Sequence, residues 1–469
     1  MLFNSFVFIF VFLPLTLIGY FMLNHFRKYE WAKGVLIIAS LYFYAFFNWS
    51  YLPIIIGSII INYTIGAALT MQRNHRKVIL LIGVAFNISM LGYFKYTDFF
   101  IENINALFAT SFLLKNILLP LGISFFTFQQ TAFVIDCYKE KGKLPRFLDY
   151  CNFVTFFPQL IAGPIVLPEE MLPQFASPDK RKVKYNNMAD GLFIFSLGLV
   201  KKVFIADSIA VFCNAGFDLP VDHFTMGEAW LISISYTMQL YFDFSGYCDM
   251  AIGIGRMFNI NLPLNFNAPY RAVNFQDFWR RWHITLNRFL TQYVYIPLGG
   301  SRTKELQVLL NIFLVFLLSG IWHGAGWTFI IWGICHGFGV MICRTWKRTG
   351  CSMPSWIGMF ITFFFINILW VVFRADTVER AWLIIRSMFD NLNFSLTPAF
   401  TSHLPSILPN KINMLILACA IVLAFVGPTA YMLMTDFKNA KLRSIITVIS
   451  LVTSMLFLSR AVTFLYFNF

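Results

Sequence analysis

The stretch "IFLVFLLSGIWHGAGWTFIIW" (residues 312–332) is apolar at both ends and carries one ionisable ring, His323, near its middle. Trp322 and Gly324 flank that ring, and Gly320 and Gly326 stand three residues to either side. Glycines at these places permit close backbone approach. The turn at 324–326 is too short for an external loop, so it is expected to be tucked inside a membrane protein. An ionisable group at that depth is costly and needs a reason. Three readings stand: a packed histidine with a carbonyl partner, a proton relay, or a base. Burial disfavours the imidazolium, and a neutral imidazole can take a proton from a hydroxyl.

The rest of the chain fits this setting. Of 469 residues, 58% are hydrophobic and 12% charged, with 56 Phe. Soluble domains carry about 25% charged residues, so the composition is that of a polytopic membrane protein. The formal net charge of +14 would suggest nucleic acid in a soluble chain. Here the basic residues fall mostly in short loops between apolar runs, the pattern that sets topology, and no nucleic-acid partner is expected. Eight cysteines form no C-x-x-C and no zinc spacing, so neither a disulfide framework nor a metal is expected. Residues 2–23 lack a basic leader and a cleavage site and are read as a retained first span.

Apolar runs at 2–23, 34–47, 51–71, 78–94, 113–138, 187–215, 227–254, 306–322, 327–343, 356–373, 413–434 and 444–467 predict about eleven to thirteen membrane helices. The expectation is a single integral membrane domain over 1–469, with a motif-dense core at 120–345 and peripheral helices at 413–467. Basic clusters lie at Arg27/Lys28/Lys33, Arg73/Arg76/Lys77, Lys139/Lys141/Lys143/Arg146, Lys180/Arg181/Lys182/Lys184, 256–304, Arg344/Lys347/Arg348 and Lys438/Lys441/Arg443. Placing them all in the cytoplasm puts both termini outside. Segment 148–172, with "FFPQLIAGPIVLP", then enters and leaves on one side and is expected to be broken and re-entrant.

The longest polar interruption, 255–305, is basic and aromatic. Phe275, Phe278, Trp279, Trp282, Leu286, Phe289, Leu290 and Tyr293 share one helical stripe, with Arg280, Arg281 and Arg288 opposite. This predicts one amphipathic helix along the cytoplasmic membrane surface or in a shallow funnel. His283 would sit at the stripe's edge, as an interfacial histidine or a substrate contact. His336 could face His323 across the 324–326 turn, and packing or a structural hydrogen bond is its simplest role. Gln239, Asp243, Ser245 and Asp249 lie inside an apolar run. Asp243 and Asp249, six apart, do not share a helix face, so ion pairs with Arg256, Arg280 or Arg281, or the orientation of a histidine, are expected rather than paired-carboxylate chemistry. Arg280, Arg281, Arg288 and Arg302 suit either a phosphorylated donor or lipid headgroups. No phosphate-binding loop, G-x-S-x-G elbow or H-E-x-x-H is present.

Four stretches taken together, "PQLIAGPI" (158–165), "YFDFSGYCDMAIGIGRMFNINLPLNFNAPY" (241–270), "FWRRWHITLNRFLTQYVYIPLGGSR" (278–302) and "GIWHGAGWTFIIWGICHG" (320–337), resemble the bacterial alginate O-acetyltransferase branch of the membrane-bound O-acyltransferases. The resemblance runs through most of 1–375. It implies an all-α polytopic enzyme with a thin, funnelled centre, in the bacterial cytoplasmic membrane. The family's near-invariant histidine corresponds to His323, and its second histidine to His283. The resemblance also implies an acyl thioester such as acetyl-coenzyme A as co-substrate, with no bound cofactor. The acceptor would be an extracytoplasmic polysaccharide, often reached through a secreted or membrane-anchored partner acyltransferase. A related branch transfers D-alanine from a carrier protein. Candidate donor-side residues are Arg280, Arg281, Trp279, Trp282, Asp243, Gln239, Ser245, Trp322, Trp327 and Asn311. A transporter or a non-catalytic scaffold would share some of these features, but no inverted repeat is visible.

Overall fold

The computed structural model describes residues 1–469 apart from 72–73, 141–142, 391, 405–409, 438, 461–464 and 466–469. Arg73, Lys141 and Lys438 of the basic clusters, and most of the last apolar run beyond 460, lie outside the described residues. The chain is an all-α polytopic membrane protein, with no strand among the described residues. Among the described residues, seven helices are long and apolar enough to cross a membrane. An eighth is added if Asn410–Phe425 and Ala430–Asp436, bent by 57°, are one span. This is fewer than the apolar runs suggested, because some runs are shortened and others are too polar to span, which takes about 20 predominantly apolar residues. Run 187–215 is helical without a break over 185–218, but its π-helical turn Lys201–Ala206 places Lys201, Lys202 and Asp207 mid-run. Run 113–138 is helical only from Ile123 to Tyr138.

Two compact units divide the chain. One comprises Met1–Ser196 with Tyr247–Pro263. In it Asn62 and Asn87 exchange side-chain hydrogen bonds (3.1 and 2.6 Å) between helices Leu52–Met71 and Arg76–Phe108. Lys33 pairs with Asp149 at 2.6 Å, both nearly buried. Segment 148–172 is broken, as its prolines predict, into helices Phe147–Thr155, Phe157–Leu160 and Pro168–Ala176. Residues 149–168 are buried throughout. Non-helical backbone survives at membrane depth only under such cover, and Gln159 Nε2 satisfies the Phe153 carbonyl from within the break (2.7 Å).

The other unit comprises Leu197–Gly246 with Leu264–Phe469. Helices Glu305–His323 and Trp327–Arg348 pack antiparallel through Gly320 and Gly333. A Cβ on Gly333 would stand 2.6 Å from the Phe316 carbonyl oxygen, so only glycine allows this closeness. At the opposite end of the pair, Glu305 receives both Arg344 (2.8 Å) and Arg348 (2.6 Å). Helix Ser355–Arg374 packs alongside. By length, Glu305 and His323 are about 27 Å apart along their helix.

The stretch 275–293 is not one helix. It is Phe275–Arg281, then Trp282 extended and His283 left-handed (φ 46°), then Ile284–Leu290 and a π-helical turn Thr291–Tyr295. The two limbs form a hairpin. Its rising limb follows helix Trp327–Arg348, from Gln276 beside Lys347 to Trp279 beside His336. Its falling limb follows helix Glu305–His323, ending where Asn311 Nδ2 donates to the Leu298 carbonyl (3.0 Å). The apolar stripe is real, but it faces protein: Phe278, Trp279, Trp282, Leu286, Phe289 and Leu290 are all buried. The helix breaks because residues 265–267 intervene. The Asn265 carbonyl accepts from Ile284 N (3.0 Å), and Asn267 N donates to the Arg281 carbonyl (2.9 Å). Those bonds replace the helical ladder that a continuous helix would have used.

Candidate active site

His323 is the last residue of its helix. The chain leaves it through Gly324 in extended conformation, where any side chain would overlap the Phe329 ring. The imidazole is 4% exposed, and its Nδ1 lies 2.6 Å from the Ser319 carbonyl oxygen one turn back. A carbonyl only accepts, so Nδ1 bears the hydrogen. In the neutral ring the lone pair is therefore on Nε2. Trp322, Trp332 and Phe373 surround the ring, with centroids at 4.9, 5.0 and 5.4 Å.

His283 occupies the hairpin apex, its ring centroid 6.3 Å from that of His323 at 74°. It is fully buried rather than at an interfacial boundary. The reason is local: Asn265 Oδ1 accepts from His283 Nδ1 (3.1 Å), Thr285 N (3.2 Å) and Thr285 Oγ1 (2.9 Å). One amide oxygen thus ties down the apex, and His283 too carries its hydrogen on Nδ1. Burial, and to a lesser degree the neighbouring His323, hold the His283 pKa well below its ordinary value, so this ring is neutral at physiological pH.

His336 makes the structural hydrogen bond that is its simplest role. Trp279 Nε1 donates to His336 Nδ1 (3.2 Å), and Trp279 and Trp332 box the ring at 4.9 and 4.5 Å. It locks the rising limb of the hairpin onto its neighbouring helix. Trp282 does similar work above it, stacked on Phe278 (5.7 Å) and against Trp370 (4.9 Å). Beside Ser319 lies a narrow cleft of only about 10 Å³, lined by Trp279, Leu286, Asn287, Leu290, Val315, Phe316 and Ser319. It separates the falling limb from the helix that carries His323.

Asp243 corrects the expected pairing. Its partner is Lys202 (2.7 Å), which also binds Asp207 (2.8 Å), all three side chains being 6% exposed or less. The Leu465 amide adds a bond to Asp243 Oδ2 (2.9 Å). None of the proposed arginines is available to Asp243. Arg256 pairs with Asp190 (3.6 Å). Arg281 is held by Asp277 (3.0 Å). Arg280 and Arg302 are exposed. Gln239 and Ser245 are buried on the helix that bears Asp243. Asn311 secures the base of the hairpin, and Trp327 is 56% exposed at its helix start. The structure thus brings together His323, His283, Trp322, Trp279 and Trp282. It sets Asp243 in a separate ion-pair cluster and Arg280 and Trp327 at the surface.

Asn265 and Lys202 were missed by sequence reasoning. A lysine inside an apolar run is itself a signal. Asn265 had none, being 18 positions from the histidine it orients.

Residues 6–376 match the membrane-bound O-acyltransferase family. Among curated relatives, a peptidoglycan O-acetyltransferase of Helicobacter pylori is 49% identical over 83% of this chain and 80% of its own length. The "Probable alginate O-acetylase AlgI" of Pseudomonas aeruginosa is 38% identical over 91% of this chain and 81% of its own. A teichoic acid D-alanyltransferase of Bacillus subtilis is 28% identical over 55% of this chain and 70% of its own.

Proposed function

This chain belongs to the membrane-bound O-acyltransferase family, and from that premise we propose that it moves an acetyl group from a cytoplasmic thioester, acetyl-coenzyme A being the simplest, to a hydroxyl on an extracytoplasmic polysaccharide. The carrying observation is the His323 tautomer: Nδ1–H is spent on the Ser319 carbonyl, leaving Nε2 as a proton acceptor beside a second buried, neutral histidine. In the proposed step Nε2 takes the hydroxyl proton while the hydroxyl oxygen attacks the thioester carbonyl carbon. A C–O bond forms and the C–S bond breaks. The proton then passes from Nε2 to the departing thiolate. His283 offers another acceptor nitrogen to orient a substrate O–H or N–H, held in place by Asn265. General-base catalysis contributes about 10²–10⁴-fold, and confinement of both reactants beside the aromatic wall adds to it.

Greater identity to the peptidoglycan relative than to the alginate one favours a peptidoglycan glycan hydroxyl as acceptor. A secreted or membrane-anchored acyltransferase can complete delivery. D-alanyl transfer is less favoured, since that relative is more distant and matches a smaller share of the chain.

The test is ester-linked acetate on purified peptidoglycan from cells carrying His323→Ala at normal protein abundance. Release is expected to fall at least about 100-fold. Undiminished acetate would remove His323 from the chemistry. Loss of acetate from an exopolysaccharide alone would overturn the choice of acceptor.

A further inference from the structure

A second cleft lies far from the histidines, at the end of helices Trp327–Arg348 and Ser355–Arg374 where Glu305 meets its arginines. It holds about 320 Å³ and opens to the surroundings, at the lower end of the size range of ligand sites. Its walls are largely apolar, with Ile342, Trp346, Met353 and Ile361, and Lys347 contributes to the lining. The remaining wall is Val273–Phe275, the root of the hairpin whose apex is His283.

Two observations fix the level of this cleft. It sits at the junction of two candidate spans, so it falls where hydrocarbon gives way to headgroups. Trp346 and Trp356 there are 47% and 69% exposed, as aromatic side chains at a membrane interface are. The local charge is positive. Lys347 Nζ bonds only a neutral amide oxygen, Gln276 Oε1 (2.7 Å), and no carboxylate pairs with it among the described residues. Arg344 and Arg348 share the single Glu305 carboxylate.

We propose that this cleft is a binding site for an anionic phospholipid, its acyl chain along Ile342 and Ile361 and its phosphate at Lys347. Apolar walls below, a cation at the rim and flanking tryptophans match such an amphiphile from tail to headgroup. The bound lipid buttresses Val273–Phe275 and so steadies the hairpin that presents His283. The site is independent of the acyl-transfer reading, because lipid retention can be measured without turnover.

The experiment uses the purified full chain in detergent, titrated with phosphatidylglycerol or with phosphatidylcholine of the same acyl chains. Native mass spectrometry reads lipids retained, and thermal unfolding reads the midpoint. Phosphatidylglycerol is expected to be retained at least fivefold better and to raise the midpoint. Lys347→Gln should abolish that preference while still binding both lipids equally. Ile361→Trp, which fills the cleft without touching charge, should weaken both. The preference should persist in His323→Ala. Equal retention of the two lipids by the parent chain, or an undiminished preference in Lys347→Gln, overturns the proposal. So does a midpoint shift reproduced by inorganic phosphate alone. A dimer lost in Ile361→Trp with no lipid retained would make the cleft an interface between copies and would also overturn it.

Discussion

At the scale of single residues, two hydrogen bonds set the tautomers of the paired histidines. The Ser319 carbonyl sets which nitrogen of His323 is basic, and Asn265 Oδ1 does the same for His283. Neither anchor titrates in the physiological range, so the tautomers persist across it. His283 itself gives a pH signature. Its pKa in the folded chain lies well below the ordinary 6.5, whereas in the unfolded chain it is ordinary. Above that value neither state is protonated and its contribution to stability is complete. As pH falls below about 6.5 the unfolded state binds a proton that the folded state refuses, and stability declines. His283→Asn keeps an N–H at the Nδ1 position for Asn265 and tolerates the left-handed backbone there, but does not titrate. Its melting temperature at neutral pH should be similar or slightly lower, and its fall between pH 6.5 and 5 should be shallower than the parent's. An identical acid-side slope would mean that His283 is protonated in the folded chain.

At the scale of elements, the site depends on helices Glu305–His323 and Trp327–Arg348 approaching closely enough for His323 to meet Trp332. A Cβ on Gly320 would overlap the Phe329 carbonyl oxygen and stand 3.0 Å from Gly333 Cα. The obstruction is backbone, which cannot rotate away. Gly320→Ala is therefore expected to destabilise by about 1–3 kcal/mol and to lower acetyl transfer. Gly34→Ala is the control: it lies inside helix Tyr29–Ala45 with nothing within 4 Å of the added atom, and should be neutral or slightly stabilising. Chemical denaturation of both variants in the same detergent checks the contrast. The hairpin 275–295 follows a different logic. Its limbs are too short to be stable alone, so they exist because two long helices and the 265–267 strip hold them.

At the scale of the whole molecule, the charge pattern assigns sides. Placing Arg344, Lys347 and Arg348 in the cytoplasm makes the 349–354 turn cytoplasmic too, and sends Gly324–Gly326 toward the opposite face. Cys351 lies in that turn and is exposed. With the other cysteines replaced, a membrane-impermeant maleimide should label Cys351 only after permeabilisation of the membrane. Labelling in intact spheroplasts would invert this topology and, with it, the proposed direction of acyl transfer.

Composition, apolar runs and the resemblance in 158–165 and 241–337 were enough to determine a helical membrane enzyme of this family and to single out His323. Those properties are local: apolar length sets spanning, and a buried histidine among glycines stands out wherever it occurs. The continuous stripe at 275–293 was equally visible but was assigned to a surface helix, because periodicity shows that a face is apolar and not what covers it. Only the tertiary structure folded that stripe into a hairpin, joined Asn265 to His283, and gave Asp243 to Lys202 instead of an arginine. Each of these contacts joins residues distant along the chain, and their energy comes from desolvated partners meeting in space, which no spacing in the sequence records.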